Sequence, residues 1–419
     1  MIFPPGKSPH SNSGVVSTSL LILLDELIAE ILSRLPVKTL MQMKCVCKSL
    51  KTLISHPFFA KLHLHRSPRN THVLLSPIWY DAAGIHIMVV PIPVSRWLES
   101  PFEYYEPYSY RLRYFDIPND PCYILRNMDC NHIVGSCNGL ICLGGGSRSW
   151  PKHWFRLWNP VTNTLSEKLG NLTNYFRLTF GYDIINDIYK VVAFSANTVK
   201  VFSLRDNVWR DIPSFPIVPF DIHRIHCRRL VDNGVYVSGS INWLAIRDKT
   251  EYEWNDITIK QFVIVSLDLD TETYRQLLPP SGFVEVPPVE PSVSVLMDCL
   301  CFSHRFRETH FVIWKMMEFG VQESWTQFLK ISFQNLHIDY GIGDSLAYYA
   351  QLFLLPLCVS ESSNTLVMAS NQRGLIHGYH RRHAILYNWR DNKVEQIATS
   401  KQISWFNTND YVESLVSTS

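Results

Sequence analysis

The fold of this chain is decided first in residues 20–65, which read LLILLDELIAEILSRLPVKTLMQMKCVCKSLKTLISHPFFAKLHLH. Apolar residues recur there with helical spacing, at Leu24, Leu27, Ile28, Ile31, Leu32 and Leu35. This spacing places one apolar stripe along a helix, and Pro36 ends that helix because proline disfavours helix at the residue before it. A second apolar pattern runs through residues 40–54. We therefore predict a small all-α module of three short helices over residues 19–65, a unit that rarely buries enough surface to be stable alone.

The residues before this module have a different composition. Residues 1–18 are rich in Pro, Ser, Gly and Asn and are predicted to form a disordered tail. We expect Thr18 or Ser19 to cap the start of the first helix, because a side-chain hydroxyl can accept a hydrogen bond from the first free amides.

The chain changes character after residue 67, where short β-prone runs between turn residues replace the helical spacing. One pattern recurs: an apolar strand, a polar turn of Asn, Asp or Thr, and a second strand. Such turns between apolar runs predict hairpins, and the copies lie at residues 155–165, 199–210, 264–275, 311–325 and 385–394. Repeated units of several strands fit the blades of a β-propeller, with an ordinary β-sandwich as the alternative.

The fold class predicted from these patterns is α+β multidomain, with the helical module followed by a large all-β, propeller-like domain over residues 67–416. We expect early and late strands to pair and close this domain, because closure removes exposed sheet edges. The closing strand is expected within residues 411–416 or 72–79.

Several stretches resemble a known family. EILSRLPVK at 30–38, CVCKS at 45–49 and HPFF at 56–59 resemble the F-box of plant F-box proteins. The long second region resembles the F-box-associated, kelch-like domain of the same proteins, through GSCNGLIC at 135–142, LWNPVT at 157–162, FGYD at 180–183, YKVV at 189–192 and YVESL at 411–415. The resemblance implies that the helices dock onto a Skp-type adaptor and, through it, a cullin. It also implies that the β domain binds a target protein for ubiquitination.

A subset of the helical residues is predicted to contact the adaptor, because a few apolar side chains usually carry most of the interface energy. These residues are Leu24, Leu27, Ile28, Ile31, Leu35, Pro36, Val37, Leu40, Val46 and Cys47. The target and its binding residues are not identifiable from the sequence. Three loops that combine aromatic residues with arginines are candidates, at residues 96–110, 220–229 and 305–310.

Other functions have little support in the sequence. The formal net charge of +2 and the lack of an Arg, Asn or Gln cluster argue against a helix-turn-helix DNA reader. No apolar run approaches the ~20 residues needed to span a bilayer, and no signal peptide is evident. We therefore expect no nucleic-acid or membrane partner, a location in the cytoplasm or nucleus, and reduced thiols for the 10 cysteines.

Catalytic and metal-binding motifs are also lacking, so we predict neither an enzyme nor a cofactor. Cys130, His132, Cys137 and Cys142 are residue types that bind zinc, but their spacing is not that of paired C-x-x-C ligands. Asn138-Gly139 predicts a turn between two strands, which makes these cysteines small apolar strand residues. The glycines at 144–146 have no following lysine, and we interpret them as a loop between blades.

Two functions remain open on this basis. The first is a substrate-recognition subunit of a Skp–cullin–F-box ubiquitin ligase. The second is a propeller that binds a small ligand or glycan, with the helical module as a cap.

Overall fold

The structure is a computed structural model, and it describes most of the chain. The described residues are 26–66, 72–81, 84–98, 103–105, 111–115, 125–126, 129–146, 152–174, 176–220, 234–247, 254–336, 353–370, 383–399, 402–403 and 405–418. The predicted tail at 1–18, the expected helix cap and Leu24 lie outside these residues, as do most of the candidate loops 96–110 and 220–229.

The N-terminal module contains four short helices within the described residues, where the sequence predicted three. They are α1 (26–32), α2 (Val37–Met43), α3 (Lys48–Ser55) and α4 (Pro57–Arg66). Pro36 is the N-cap of α2, and Pro57 is the first residue of α4, where a missing amide proton costs no helical hydrogen bond. A fifth helix, α5 (Val94–Leu98), lies within the β domain.

The β domain follows as a long series of short strands. The first part of the series is β1 (His72–Leu75), β2 (Pro77–Asp81), β3 (Gly84–Pro93), β4 (Glu103–Tyr105), β5 (Arg111–Phe115), β6 (Leu125–Arg126), β7 (His132–Cys137), β8 (Leu140–Gly146), β9 (His153–Asn159), β10 (Thr164–Leu165), β11 (Leu169–Leu172), β12 (Arg177–Asp183), β13 (Ile188–Phe194), β14 (Val199–Ser203) and β15 (Val208–Ile212). The second part is β16 (Val235–Val237), β17 (Ser240–Ile246), β18 (Phe262–Asp268), β19 (Tyr274–Leu277), β20 (Ser292–Leu296), β21 (Cys299–Phe306), β22 (His310–Met316), β23 (Trp325–Ser332), β24 (Leu354–Ser360), β25 (Thr365–Ser370), β26 (His383–Asn388), β27 (Lys393–Thr399), β28 (Gln402–Ile403) and β29 (Asn409–Tyr411).

These strands form six sheets, which are the blades of a six-bladed β-propeller. Blade 1 has the order β28-β2-β3-β1-β29 with β6 on β3, and blade 2 has the order β10-β9-β8-β7 with β11 on β9. Blades 3, 4 and 5 are the meanders β12–β15, β16–β19 and β20–β23. Blade 6 has the order β24-β25-β26-β27-β5-β4. The predicted fold class is therefore confirmed.

The core of the propeller lies between the blades. Each pair of neighbouring blades shares one cluster of buried apolar residues, including the pair formed by blades 6 and 1. Phe194 and Trp243, for example, pack edge-to-face between blades 3 and 4, with ring centroids 5.4 Å apart. Apolar surface is thus buried at every interface between neighbouring blades, which stabilises the closed ring.

All five predicted hairpins are present, as the pairs β9–β10, β14–β15, β18–β19, β22–β23 and β26–β27. Three of their turns share one construction. Asn159, Asp268 and Asn388 each accept two hydrogen bonds from amides two and three residues later, at 2.9 to 3.4 Å. The fifth residue of each turn is left-handed, with φ between 52° and 55°, at Asn163, Glu272 and Asn392. Short polar side chains thus satisfy the amides that the turn leaves unpaired.

Early and late parts of the chain pair at three places within the described residues, and one of these is the antiparallel pair of β2 and β28 at the outer edge of blade 1. At the inner edge of blade 1, β1 pairs antiparallel with β29, where His72 is opposite Tyr411. At the outer edge of blade 6, β27 pairs parallel with β5. The predicted closure is confirmed for the segment 72–79, of which residues 72–74 pair with residues 409–411. The predicted strand at 411–416 is wrong, because β29 ends at Tyr411 and the following residues leave the sheet.

The prediction for the glycines of blade 2 is wrong. Gly144–Gly146 do not form a loop between blades but end β8, where they pair with β9. The small residues are needed there because a Cβ at Gly144 would overlap the ring of His132, and one at Gly145 would overlap Trp154.

The helices contact one face of the propeller. Because consecutive strands of a blade alternate in direction, the turns between its first and second strands and between its third and fourth strands lie on the same face. We call this the helix face, since it includes Val161 and Asp187, which contact the helical module. The opposite face, which includes residues 195–198 and 307–309, is called the distal face.

Candidate functional site

The residues predicted to contact a partner divide into two groups, and the first group is exposed. Leu27, Ile31 and Val46 have 55%, 65% and 73% of their surface exposed. Pro36 and Cys47 are exposed as well. Leu27 and Ile31 are four residues apart on α1 and therefore lie on one side of that helix. This first group can contact a partner without any rearrangement of the helices.

The second group points into the module. Val37 and Leu40 are buried in its core, and Ile28 and Leu35 pack against that core. The predicted apolar stripe thus contains more residues than are exposed on the helices. Some of its residues form the core of the module, and the others lie on its outer surface. Val37 and Leu40 do not belong to the exposed face, and their contribution is to hold the helices together.

Phe58 is an exposed residue that the sequence prediction did not include. Its side chain is 68% exposed, whereas the neighbouring Phe59 is buried in the helical core. Consecutive residues point about 100° apart on a helix, so Phe58 points away from the part of the core that Phe59 enters. The pair Phe58-Phe59 was the available signal for an outward-facing aromatic residue.

Charged groups fix the relative positions of the helices. Glu30 on α1 accepts a hydrogen bond from Arg34 at 2.9 Å and forms an ion pair with Arg66 at the end of α4. His63 is buried between the helices, with its Nε2 2.8 Å from the carbonyl oxygen of Leu35. Because a carbonyl oxygen only accepts, Nε2 is the donor. Burial lowers the pKa of His63, which keeps its imidazole neutral at pH 7.

The candidate target loops are only partly described. Of residues 220–229 the structure describes Phe220, which is buried. The interpretation of residues 305–310 as a loop is wrong: Arg305 and Phe306 end β21, His310 starts β22, and a short turn joins them on the distal face. Arg305 is buried, with its guanidinium 5.1 Å from the ring of Phe333. Exposed apolar side chains near that face include Leu278 and Val284.

A cavity of about 420 Å³ lies on the axis of the ring. Residues from the innermost strand of each of the six blades line it, which in blade 1 is β29, and Leu64 and His65 of α4 line it from the helix face. Its polar groups partly bond to each other: Ser136 donates to the carbonyl oxygen of Asp410, and Tyr236 to that of Tyr182. Ser294 lines the cavity with a buried hydroxyl that has no hydrogen-bond partner in the structure. The cavity has room for ordered water or a small polar molecule.

The residues considered for zinc lie in or beside blade 2. Burial raises the pKa of the Cys130 thiol to about 11, and it also raises the pKa values of Cys137 and Cys142. Neutral thiols are weak nucleophiles and weak metal ligands. In the part of the chain that the structure describes, no three His, Cys, Asp or Glu side chains are grouped as metal ligands would be. The described helices also include none that is long and apolar enough to cross a membrane.

Two family models match the chain. Residues 20–62 match the F-box domain, and residues 114–285 match the F-box associated beta propeller domain. Among curated proteins, the chain is similar to an F-box/kelch-repeat protein of Arabidopsis thaliana, with 28% identity over 73% of this chain and 78% of the relative. It is also similar to the F-box protein CPR1 of Arabidopsis thaliana, with 26% identity over 72% of this chain and 71% of the relative.

Proposed function

Since the chain consists of an F-box domain followed by an F-box-associated β-propeller domain, we propose that it is a substrate-recognition subunit of a Skp–cullin–F-box E3 ubiquitin ligase. The F-box would dock the Skp-type adaptor, which in turn binds the cullin, and the propeller would hold the target protein. The protein would contribute no bond-making chemistry of its own. Its cysteines in the described ranges are free thiols, which supports an intracellular location in the cytoplasm or nucleus.

The observation that carries this proposal is the exposed apolar surface of the F-box. Leu27, Ile31, Val46 and Phe58 are each more than half exposed on a unit of about 40 residues. Apolar side chains in such number on a small surface are typical of a protein interface. A Skp-type adaptor is the partner that the F-box match supports.

The target is assigned to the distal face. The F-box occupies part of the helix face, and a bound adaptor would occupy more of the space on that side. The distal face is free of the F-box in the described residues, and its loops differ from blade to blade in length and composition. Loops of this kind usually carry recognition, since they change without disturbing the blades.

Binding to a purified Skp-type adaptor tests the first half of the proposal. Val46→Asp places a charge on the F-box surface and is expected to weaken adaptor binding by about 2 kcal/mol, roughly 30-fold. Val284→Asp is the matched control, because Val284 is also an exposed valine outside regular structure but lies on the propeller. Equal binding by Val46→Asp and wild type would contradict the proposed interface.

The Val46→Asp variant also tests the receptor role. In a reconstituted ligase, Val46→Asp should leave target binding intact while target ubiquitination is lost. If the wild-type chain does not bind the adaptor at all, the proposal fails. The remaining function is then a propeller that binds a small ligand in its axial cavity, with the helices as a cap.

A further inference from the structure

The F-box core is not complete within the F-box itself. Its buried apolar residues are Leu32, Val37, Leu40, Ile54, Phe59 and Ala60, together with Leu415 from the other end of the propeller domain. Val161, from the turn between β9 and β10, packs against the same cluster. A helical unit of this size buries little surface by itself, so each added apolar side chain contributes a large share of its stability.

The position of Leu415 is set by blade 2 and not by the F-box. Its neighbour Ser414 is fully buried and donates a hydrogen bond from Oγ to the carbonyl oxygen of Asn138 at 2.7 Å. The Nδ2 of Asn159 donates to the carbonyl oxygens of Ser414 and Val416, at 3.1 and 2.6 Å. Leu415 is thus held from both sides by residues that the propeller fixes.

Gly139 is required for this arrangement. It follows Asn138 in the turn between β7 and β8 with a φ of +81°, and a Cβ there would overlap Ser414. The turn therefore needs a residue without a side chain for two reasons, the left-handed backbone and the close approach of residue 414.

The residues around Leu415 come directly after β29, the strand that closes the ring. β29 ends at Tyr411, and Tyr411 pairs with His72 of the first propeller strand. Leu415 lies four residues beyond Tyr411, so the pairing of β29 with β1 and the contacts of residues 414 and 416 with blade 2 together bring it to the F-box. A polar contact between F-box and propeller, the ion pair of Lys61 and Asp187, is about half exposed. Exposed ion pairs contribute little to stability.

We propose that residues 412–418, called the closing segment, couple closure of the propeller to assembly of the F-box. A chain whose propeller has closed presents an ordered F-box, and a chain whose propeller is open does not. The adaptor would then be recruited only by molecules whose target-binding domain is intact. This consequence for recruitment rests on the proposed receptor function, whereas the coupling itself does not.

Hydrogen exchange on the full-length protein tests the coupling without any partner. Leu415→Asp is expected to raise exchange in α3 and α4 about tenfold or more, with the blades unchanged, because a buried leucine is lost from the F-box core. Ser417→Asp is the matched control, since it places the same charge at an exposed position of the closing segment. Leu415→Ala is a milder second variant in case the charge prevents folding.

Each pattern of hydrogen exchange either supports or overturns the coupling. Faster exchange confined to the F-box in either Leu415 variant supports the coupling. Unchanged exchange in both Leu415 variants overturns it. Equal acceleration in the F-box and the blades also overturns it, because Leu415 would then stabilise the propeller and not the F-box in particular.

Adaptor binding separates this inference from the proposed function. Adaptor affinity should fall about tenfold in the Leu415 variants and stay unchanged in Ser417→Asp. If wild type binds no adaptor, the receptor function fails while the exchange result still stands. If wild type and the Leu415 variants bind equally, the receptor function stands and the proposed consequence for adaptor recruitment is overturned.

Discussion

Lys190 is the buried charge that joins blades 3 and 4. Its ammonium group is 3.1 Å from Asp183 within its own blade and 3.0 Å from Glu272 of the next blade, and it also donates to the carbonyl oxygen of Leu269. Burial alone would raise the pKa of Asp183, but hydrogen bonds from Asn186 and Lys190 outweigh it and lower that pKa. The charges at this junction therefore compensate each other.

Lys190→Met should destabilise the protein by about 3–5 kcal/mol, because it leaves the buried Asp183 carboxylate without its cation. Urea unfolding measures the loss. Adding Asp183→Asn removes the unpaired charge and should recover part of the stability. A loss below about 1 kcal/mol for Lys190→Met would mean that water or Asn186 satisfies the carboxylate instead.

His132 gives the fold a dependence on pH. Its ring packs over Gly144, and its Nδ1 is 2.6 Å from Oδ1 of Asn131. Burial, followed by the nearby His153, lowers the pKa of His132 from 6.5 to about 4. Between these two pH values the unfolded chain binds a proton that the folded chain excludes, so stability falls as the pH falls through this range.

The free energy of unfolding should therefore fall by about 2 kcal/mol when the pH is lowered from 7.5 to 5.0, because His132 is protonated in the unfolded chain. Urea unfolding of wild type and His132→Gln at both pH values measures this, and the variant should lose less stability. His65→Gln, which changes an exposed histidine, is the control. Equal pH dependence in wild type and His132→Gln would show that His132 is already solvated in the folded state.

At the scale of elements, the repeated turn explains why the hairpins could be predicted. An Asn or Asp that begins the turn accepts two amide hydrogen bonds, and the fifth residue is left-handed. In blade 4 the left-handed residue is Glu272, which strains the backbone more than Asn does. Its carboxylate accepts hydrogen bonds from Lys190 at 3.0 Å and Arg210 at 2.8 Å, which offset this cost.

Asn388→Ala should destabilise the protein by about 1–3 kcal/mol, because the amides of Arg390 and Asp391 and the carbonyl oxygen of Ser363 lose their partner. Thermal unfolding is a suitable measurement. Arg390→Ala, in the same turn but with an exposed side chain, is the control and should have little effect. Similar losses in both variants would indicate that the turn depends on something other than the Asn388 side chain.

At the scale of the whole molecule, stability depends on the ring being closed. Six interblade clusters form a cycle, so opening the ring exposes at least one of them entirely. β29 is the inner strand of blade 1, and Tyr411 is buried in the cluster between blades 1 and 2. All six interblade clusters are therefore buried only when the first and last strands of the propeller pair.

Removal of residues 403–419 should give insoluble protein, because it deletes β29 and exposes the inner edge of β1 together with its apolar surroundings. Removal of residues 418–419 is the control and should leave solubility unchanged, since it keeps β29 and Leu415. Soluble expression and size-exclusion chromatography measure both. A soluble monomer with an unchanged melting temperature after the larger deletion would argue against closure by β29.

Helical spacing in the F-box predicted which apolar residues share a side of a helix, but not which of them are exposed. Spacing identified the apolar stripe, and Leu27, Ile31 and Val46 are indeed exposed. It did not separate them from Val37 and Leu40, which are buried. Helical periodicity reports which residues share a side of one helix. It does not report which part of that side a second element covers.

The helical module, the five hairpins and the repeated blades could all be predicted from the sequence, because each depends on residues that are close along the chain. Turn chemistry and apolar spacing act locally, so they can be recognised without a structure. The number of blades, the pairing of β1 with β29 and the insertion of Leu415 into the F-box were found only in the three-dimensional structure. These features depend on contacts between distant segments, which form when the ring closes and buries apolar surface that no local pattern specifies.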